Sequence, residues 1–144
     1  MVLRDDSVRV RLQRLEEVIS TLERLCQDIG DLRTDKIGMW AVERGLQLGA
    51  EIVMDIGNHI LSAHYGISPA DHKDVVRQLA RQKVLGQGVA TRLEGLAGFR
   101  NILVHDYIRL DPEKVIAAFE WAPRDFSEFA SEIRTWLEGL PLQP

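Results

Sequence analysis

Apolar residues recur along most of this chain at steps of three and four, the spacing of one face of an α-helix. Val8, Leu12, Leu15, Val18, Ile19, Leu22 and Leu25 form the first such stripe. They predict an amphipathic helix from Asp5 to about Ile29, stopped by Gly30. The second helix is expected from Thr34, as N-cap, to Tyr65, with Gly66 just past its end. Some 32 residues make it about 48 Å long, the spine of the domain. Gly38, Gly45, Gly49 and Gly57 interrupt it, each weakening a helix by about 1 kcal/mol relative to alanine. So many weak points imply close approach of neighbouring backbones, a local bend, or both. Asp55 and His59, four apart on the same helix, could pair.

Ser68-Pro69-Ala70-Asp71 reads as a helix start, with serine as N-cap and proline in the first turn. That third helix should reach about Lys83, and Leu85-Gly86-Gln87-Gly88 is the loop after it. A fourth helix is expected over about Val89 to Asp106, with Leu93, Leu96, Phe99 and Leu103 as its core edge. Asp111-Pro112-Glu113 starts a fifth, which Pro123 should kink or split near Trp121. Phe126, Phe129, Ile133, Trp136 and Leu137 carry its last part, ending at Gly139. Nothing alternates with the period of a strand. The pattern therefore predicts an all-α antiparallel helical bundle of about five helices, with residues 1–144 as one domain.

Composition adds exclusions. The chain is 45% apolar and 28% charged, ordinary for a globular protein. No apolar run has the length of a membrane span, and Met1 to Arg14 carries dispersed charges unlike a signal peptide. Cys26 is the single cysteine, so no internal disulfide is possible and a cytoplasmic location is expected. The net charge of −4 argues against broad nucleic-acid binding through cationic surface. Between Lys73 and Arg109, however, seven basic residues face three acidic ones, a local excess of +4. That excess is either a solvated face or a footprint for a small anionic ligand.

The sequence has no phosphate-binding glycine loop, no nucleophile elbow and no paired cysteines. His59 and His64 are five apart, which suits no metal site on a helix face, and His64 and His72 belong at exposed helix ends. No metal or cofactor is expected. Polar residues interrupt an apolar run in one place, Arg100-Asn101-Ile102-Leu103-Val104-His105-Asp106-Tyr107. On an ideal helix, with Arg100 at zero, Asn101 falls at about 100°, His105 at about 140° and Tyr107 at about −20°. Phe99, Ile102 and Leu103 take the opposite arc, with Asp106 among them as a helix cap or partner contact. Asn101 and His105 are then neighbours, and Tyr107 lies above Arg100. The roughly 140° between Arg100 and His105 is too wide for easy convergence on one atom. Either the helix distorts, or the arginine reaches across, or a second chain completes the site in a dimer.

This Arg-x4-His-x-Tyr pattern resembles the signature of HEPN-domain ribonucleases, and the tyrosine two residues after the histidine resembles the HepT-like toxins among them. Glu43-Arg44-x-x-Gln47 and Asp55-Ile56-Gly57-Asn58-His59-Ile60 resemble that family's long helix. Asp111-Pro112-Glu113-Lys114-Val115 resembles the start of its last helix, so the likeness spans about residues 34 to 118. It implies the toxin of a toxin–antitoxin pair, a metal-independent endonuclease acting on tRNA or mRNA. Its partner would be an MntA-type nucleotidyltransferase antitoxin that silences it by transferring AMP to Tyr107.

The residue chemistry fits that implication. Histidine, with an ordinary pKa near ~6.5, suits His105 as general base toward a ribose 2′-OH. Arg100 would hold the phosphate with its planar donor fork, and Asn101 could orient His105 or donate to phosphate. Tyr107 could contact RNA until AMP places bulk and negative charge there. A second reading stays open, a non-catalytic helical module that docks a nucleotidyltransferase.

Overall fold

The computed structural model describes residues 3–141. Five α-helices and one short turn of 3-10 helix account for its elements: α1 (Asp5–Asp28), α2 (Lys36–Tyr65), α3 (His72–Arg81), α4 (Gln87–His105), the 3-10 turn Tyr107–Arg109, and α5 (Pro112–Glu138). No strand occurs among the described residues. This is the expected all-α bundle.

Pairs of contacting residues fix the directions. Gly45 lies against Leu22 and Arg4 against His59, so α1 and α2 are antiparallel. Arg134 of α5 pairs with Glu16 at 2.7 Å, and Arg33, beyond the other end of α1, pairs with Glu113 at 2.7 Å; α1 and α5 are antiparallel too. Gly86 at the start of α4 meets Glu132, while Arg92 meets Asp125 at 3.0 Å, so α4 opposes α5. The C-terminal end of α4, the 3-10 turn and the N-terminal ends of α2 and α5 therefore gather at one end of the bundle. The opposite end is tied by Trp136, whose Nε1 donates to the Tyr65 hydroxyl at 3.2 Å, and His64 stands exposed beside both rings.

α2 packs against each of the other four helices, and its glycines show why it can. A Cβ at Gly45 would stand 2.6 Å from Leu22 Cδ2, one at Gly49 2.3 Å from the Phe126 ring, and one at Gly57 2.5 Å from Val75 Cγ1. Three neighbouring helices thus approach closer than any side chain at these positions permits. Leu12, Leu15, Leu22, Leu46, Ile56, Ile60, Leu79, Leu93, Phe126, Phe129 and Ile133 fill the fully buried core between them.

Helix ends differ in detail from the expected ones. The N-cap of α2 is Asp35, whose carboxylate accepts from the Gly38 N–H at 2.9 Å; the Thr34 hydroxyl instead donates to the Asp31 carbonyl. Gly66 closes the helix in the left-handed region as expected, at φ 66°. α3 starts three residues later than the Ser68-Pro69 signal, capped by Asp71 accepting from Asp74 N–H at 2.7 Å. The Asp74 carboxylate also reaches back to the Ala70 N–H at 2.9 Å, and these two aspartates together outcompete a serine cap. α3 ends at Arg81 and α4 begins at Gln87, so the loop is shorter at its far side than expected. Asp111 caps α5 as expected.

Of the kink or split expected at Pro123, the split does not occur. α5 runs unbroken from Pro112 to Glu138. A proline removes one i to i−4 hydrogen bond. Here Phe119, Ala122, Pro123, Phe126 and Phe129 are all buried, and tertiary packing of that face maintains the helix through the defect.

Candidate active site

The polar stretch at the end of α4 divides between two settings. Arg100 turns inward: its side chain is 18% exposed, and Nη2 donates to Glu51 Oε1 on α2 at 3.3 Å. The same Glu51 oxygen accepts from Gln47 Nε2 at 3.3 Å. Arg100 Nε is buried and has no hydrogen-bond acceptor among the described residues. Asn101 and His105 are exposed and face outward from the same helix. Among the described residues neither side chain hydrogen-bonds to the other.

Helix α4 ends at His105. Asp106 leaves the helical region at φ −132° and ψ 44°, while its N–H still bonds the Ile102 carbonyl. Tyr107 therefore does not stack above Arg100, as a continued helix would place it; it opens the 3-10 turn instead. The turn has a local cause: Arg109 N–H bonds the Asp106 carbonyl and Leu110 N–H that of Tyr107. Arg109 Nε also lies 3.8 Å from the Asp106 carboxylate. As a result Tyr107 is 70% exposed and Ile108 85% exposed. Ile37 and Trp40, near the start of α2, are exposed at the same end of the bundle.

So the structure brings Asn101 and His105 to one surface, holds Arg100 against α2, and projects Tyr107 on a separate turn. α4 is continuous from Gln87 to His105, with Arg100 held against α2 and His105 exposed. The second-helix pair Asp55 and His59 does not form. His59 Nε2 accepts from the Arg4 backbone N–H at 3.0 Å, fastening the start of α1, and Asp55 is exposed. Partial burial, with Arg11 and Arg4 nearby, lowers the His59 pKa. Among the described residues, no three His, Cys, Asp or Glu side chains gather as metal ligands would.

Part of the local positive charge is paired with acids on neighbouring helices. Arg77 pairs with Glu94, and Arg92 with both Asp125 and Glu128 of α5; each pairing raises the arginine's pKa. Arg77 and Arg92 thus belong to a salt-bridged face rather than an open anion footprint. Arg100 and its carboxylate partner are the part set into the α2–α4 seam.

The Arg-x4-His-x-Tyr pattern does not point to Glu51, which the structure sets beside Arg100. Its signal is faint but present: Glu51 interrupts the run Gly49-Ala50-Glu51-Ile52-Val53-Met54, midway along a packed helix where a charge needs a partner.

Comparison with known proteins points the same way. Residues 15–133 match the model of the family described as Ribonuclease HepT-like. An mRNA nuclease HepT of Shewanella oneidensis is 25% identical over 130 residues, covering 90% of this chain and 98% of that protein. A tRNA nuclease HepT of Aphanizomenon flos-aquae is 30% identical over 98 residues, covering 68% of this chain and 67% of that one. Among solved structures, a tri-AMPylated HEPN toxin of Shewanella oneidensis in complex with MNT antitoxin is similar with a TM-score of 0.83. The identity there is 25%, over 92% of this chain and 99% of the other. YutE from Bacillus subtilis, a cytosolic protein, shares the fold with a TM-score of 0.83 at 23% identity, covering 99% of both chains.

Proposed function

This chain belongs to the HepT-like ribonuclease family, and from that premise we propose that it is a toxin that cleaves RNA through Arg100 and His105 without a metal ion. The observation that carries the reading is the pairing of a clamped, half-buried guanidinium with an exposed imidazole on the last turns of one helix. His105 takes the proton of a ribose 2′-OH, and the 2′ oxygen attacks the adjacent phosphorus. The bond to the 5′ oxygen breaks, and that oxygen leaves with a proton taken from water. The products are a 2′,3′-cyclic phosphate and a 5′-OH end. Arg100 stabilises the charge that builds on the phosphate oxygens, and Asn101 positions the phosphate or the imidazole.

The divergence of Arg100 and His105 supports a homodimer, in which the arginine of one protomer and the histidine of the other flank the same phosphodiester. Exposed Ile37, Trp40 and Ile108 at that end of the bundle are the apolar surface that such an assembly, or a partner, would cover. Tyr107 is the regulatory residue. Its exposed hydroxyl is open to a nucleotidyltransferase antitoxin of the kind bound to the Shewanella HEPN toxin. The phenol oxygen attacks the α-phosphorus of ATP, pyrophosphate leaves, and the AMP brings bulk and negative charge beside the site.

Expression of the chain alone should arrest growth, and His105→Ala or Arg100→Ala should relieve the arrest. Co-expression with a nucleotidyltransferase partner should restore growth and add about 329 Da per AMP to the intact mass, with no increment in Tyr107→Phe. A tight complex without RNA cleavage, even from unmodified protein, would favour a non-catalytic docking module instead.

A further inference from the structure

The contact that holds Arg100 raises a question the motif does not answer. A guanidinium offers two bidentate edges, one formed by Nε and Nη2, the other by Nη1 and Nη2. In this protein Glu51 stands at Nη2, the nitrogen the two edges share. Its Oε1 accepts from Nη2 at 3.3 Å, while the neighbouring Nε–H is buried with no acceptor among the described residues. Gln47, one turn earlier on α2, donates to the same carboxylate oxygen at 3.3 Å and restrains it. Glu51 is itself one-third exposed, so its charge is not there to fill a core; it borders the seam in which Arg100 lies.

We propose that Glu51, steadied by Gln47, is a positioning residue for Arg100, holding Nη2 and leaving Nη1 for the scissile phosphate. The inference rests on the ribonuclease reading above. Its physical basis is that a long, flexible arginine must otherwise be ordered during the reaction, and misplacement of a reacting or stabilising group by about 1 Å can cost on the order of a hundredfold in rate. The carboxylate also carries a charge that opposes a phosphodiester. Its presence beside the arginine therefore works against substrate affinity while fixing geometry, and the two effects separate in kinetics.

The test is steady-state cleavage of a fluorogenic RNA by wild type, Glu51→Ala and Glu51→Gln, with thermal midpoints measured on all three. Glu51→Ala should lower kcat by roughly tenfold to a hundredfold with KM unchanged or lower, because the arginine is released while a negative charge is removed. Glu51→Gln keeps an acceptor oxygen and should hold kcat within about threefold of wild type, again with KM no higher. A kcat of Glu51→Ala within threefold of wild type overturns the proposal, as does a rise, which would make Glu51 a plug on the arginine. Equal losses in both variants, or losses that merely track unfolding, also overturn it. Wild-type protein that cleaves no RNA overturns the ribonuclease reading itself, an outcome distinct from cleavage that ignores Glu51.

Discussion

Gly49→Ala tests the packing that seats α2, and with it Glu51, in the bundle. A methyl group at residue 49 would lie 2.3 Å from Phe126 Cε2 and 2.4 Å from Cζ, far inside van der Waals contact. Phe126 is fully buried, and its ring has no flexible end to swing aside. Overpacking of this kind costs about 1–3 kcal/mol, and an overlap this deep belongs at the upper end. Alanine regains about 1 kcal/mol of helix propensity over glycine, so the net loss should be about 2 kcal/mol. For a domain of this size that lowers Tm by roughly 6 °C. Gly95→Ala on α4 is the control, since nothing lies within 4 Å of its added methyl; it should gain up to about 1 kcal/mol. Denaturant titration and thermal scans of both variants measure this directly. Adding Phe126→Leu to Gly49→Ala should recover part of the loss, a non-additivity of contacting residues. A stabilised Gly49→Ala, or strict additivity with Phe126→Leu, would refute the close approach of α2 and α5.

Three further outcomes follow from the same geometry. The His59 pKa is lowered in the folded protein, so the folded state binds protons less readily than the unfolded chain. Stability linked to His59 is thus present above its ordinary pKa of about 6.5 and lost as pH falls below it; the unfolding free energy should drop between pH 7.5 and pH 5.5, and by less in His59→Gln, which retains an acceptor for the Arg4 N–H. If the site is shared across a dimer, mixing inactive Arg100→Ala and inactive His105→Ala protomers by co-refolding should restore about a quarter of wild-type RNA cleavage, because half the dimers formed are mixed and each holds one complete site. No restoration would place both residues of a working site in one chain. Tyr107→Phe should keep cleavage within a few-fold while the partner nucleotidyltransferase no longer suppresses it, as read by cleavage assays after incubation with ATP.

The helices were legible because each buries one stripe. Leu12, Leu15 and Leu22 of α1, and Phe126, Phe129 and Ile133 of α5, are all fully buried, as their spacing requires. The glycines of α2 likewise mark close approach at positions 45, 49 and 57. Local rules failed where tertiary context outweighed them. Pro123 satisfies the sequence signal for a break, yet sits within a buried face, and α5 continues past it unsplit. Thr34 and Ser68 are acceptable caps, but Asp35 and Asp71 each offer a carboxylate closer to the first free N–H groups. At the site, Arg100 and His105 could be chosen from residue chemistry, and their divergence from helical geometry. The position of Tyr107 could not, because a helical wheel assumes that the helix continues, and Asp106 ends it. Glu51 escaped notice because its partner is 49 residues away in sequence, a relation that only the packing of α4 on α2 creates.

The claim that Arg100 and His105 form a metal-independent ribonuclease site is met most directly by one measurement. Purified, unmodified protein is incubated with total RNA in excess chelator, beside Arg100→Ala and His105→Ala, and the new ends are mapped. The expected result is cleavage by wild type alone, leaving 2′,3′-cyclic phosphate and 5′-OH ends. Cleavage that persists in His105→Ala, or that vanishes with chelator and returns with added metal, would contradict it.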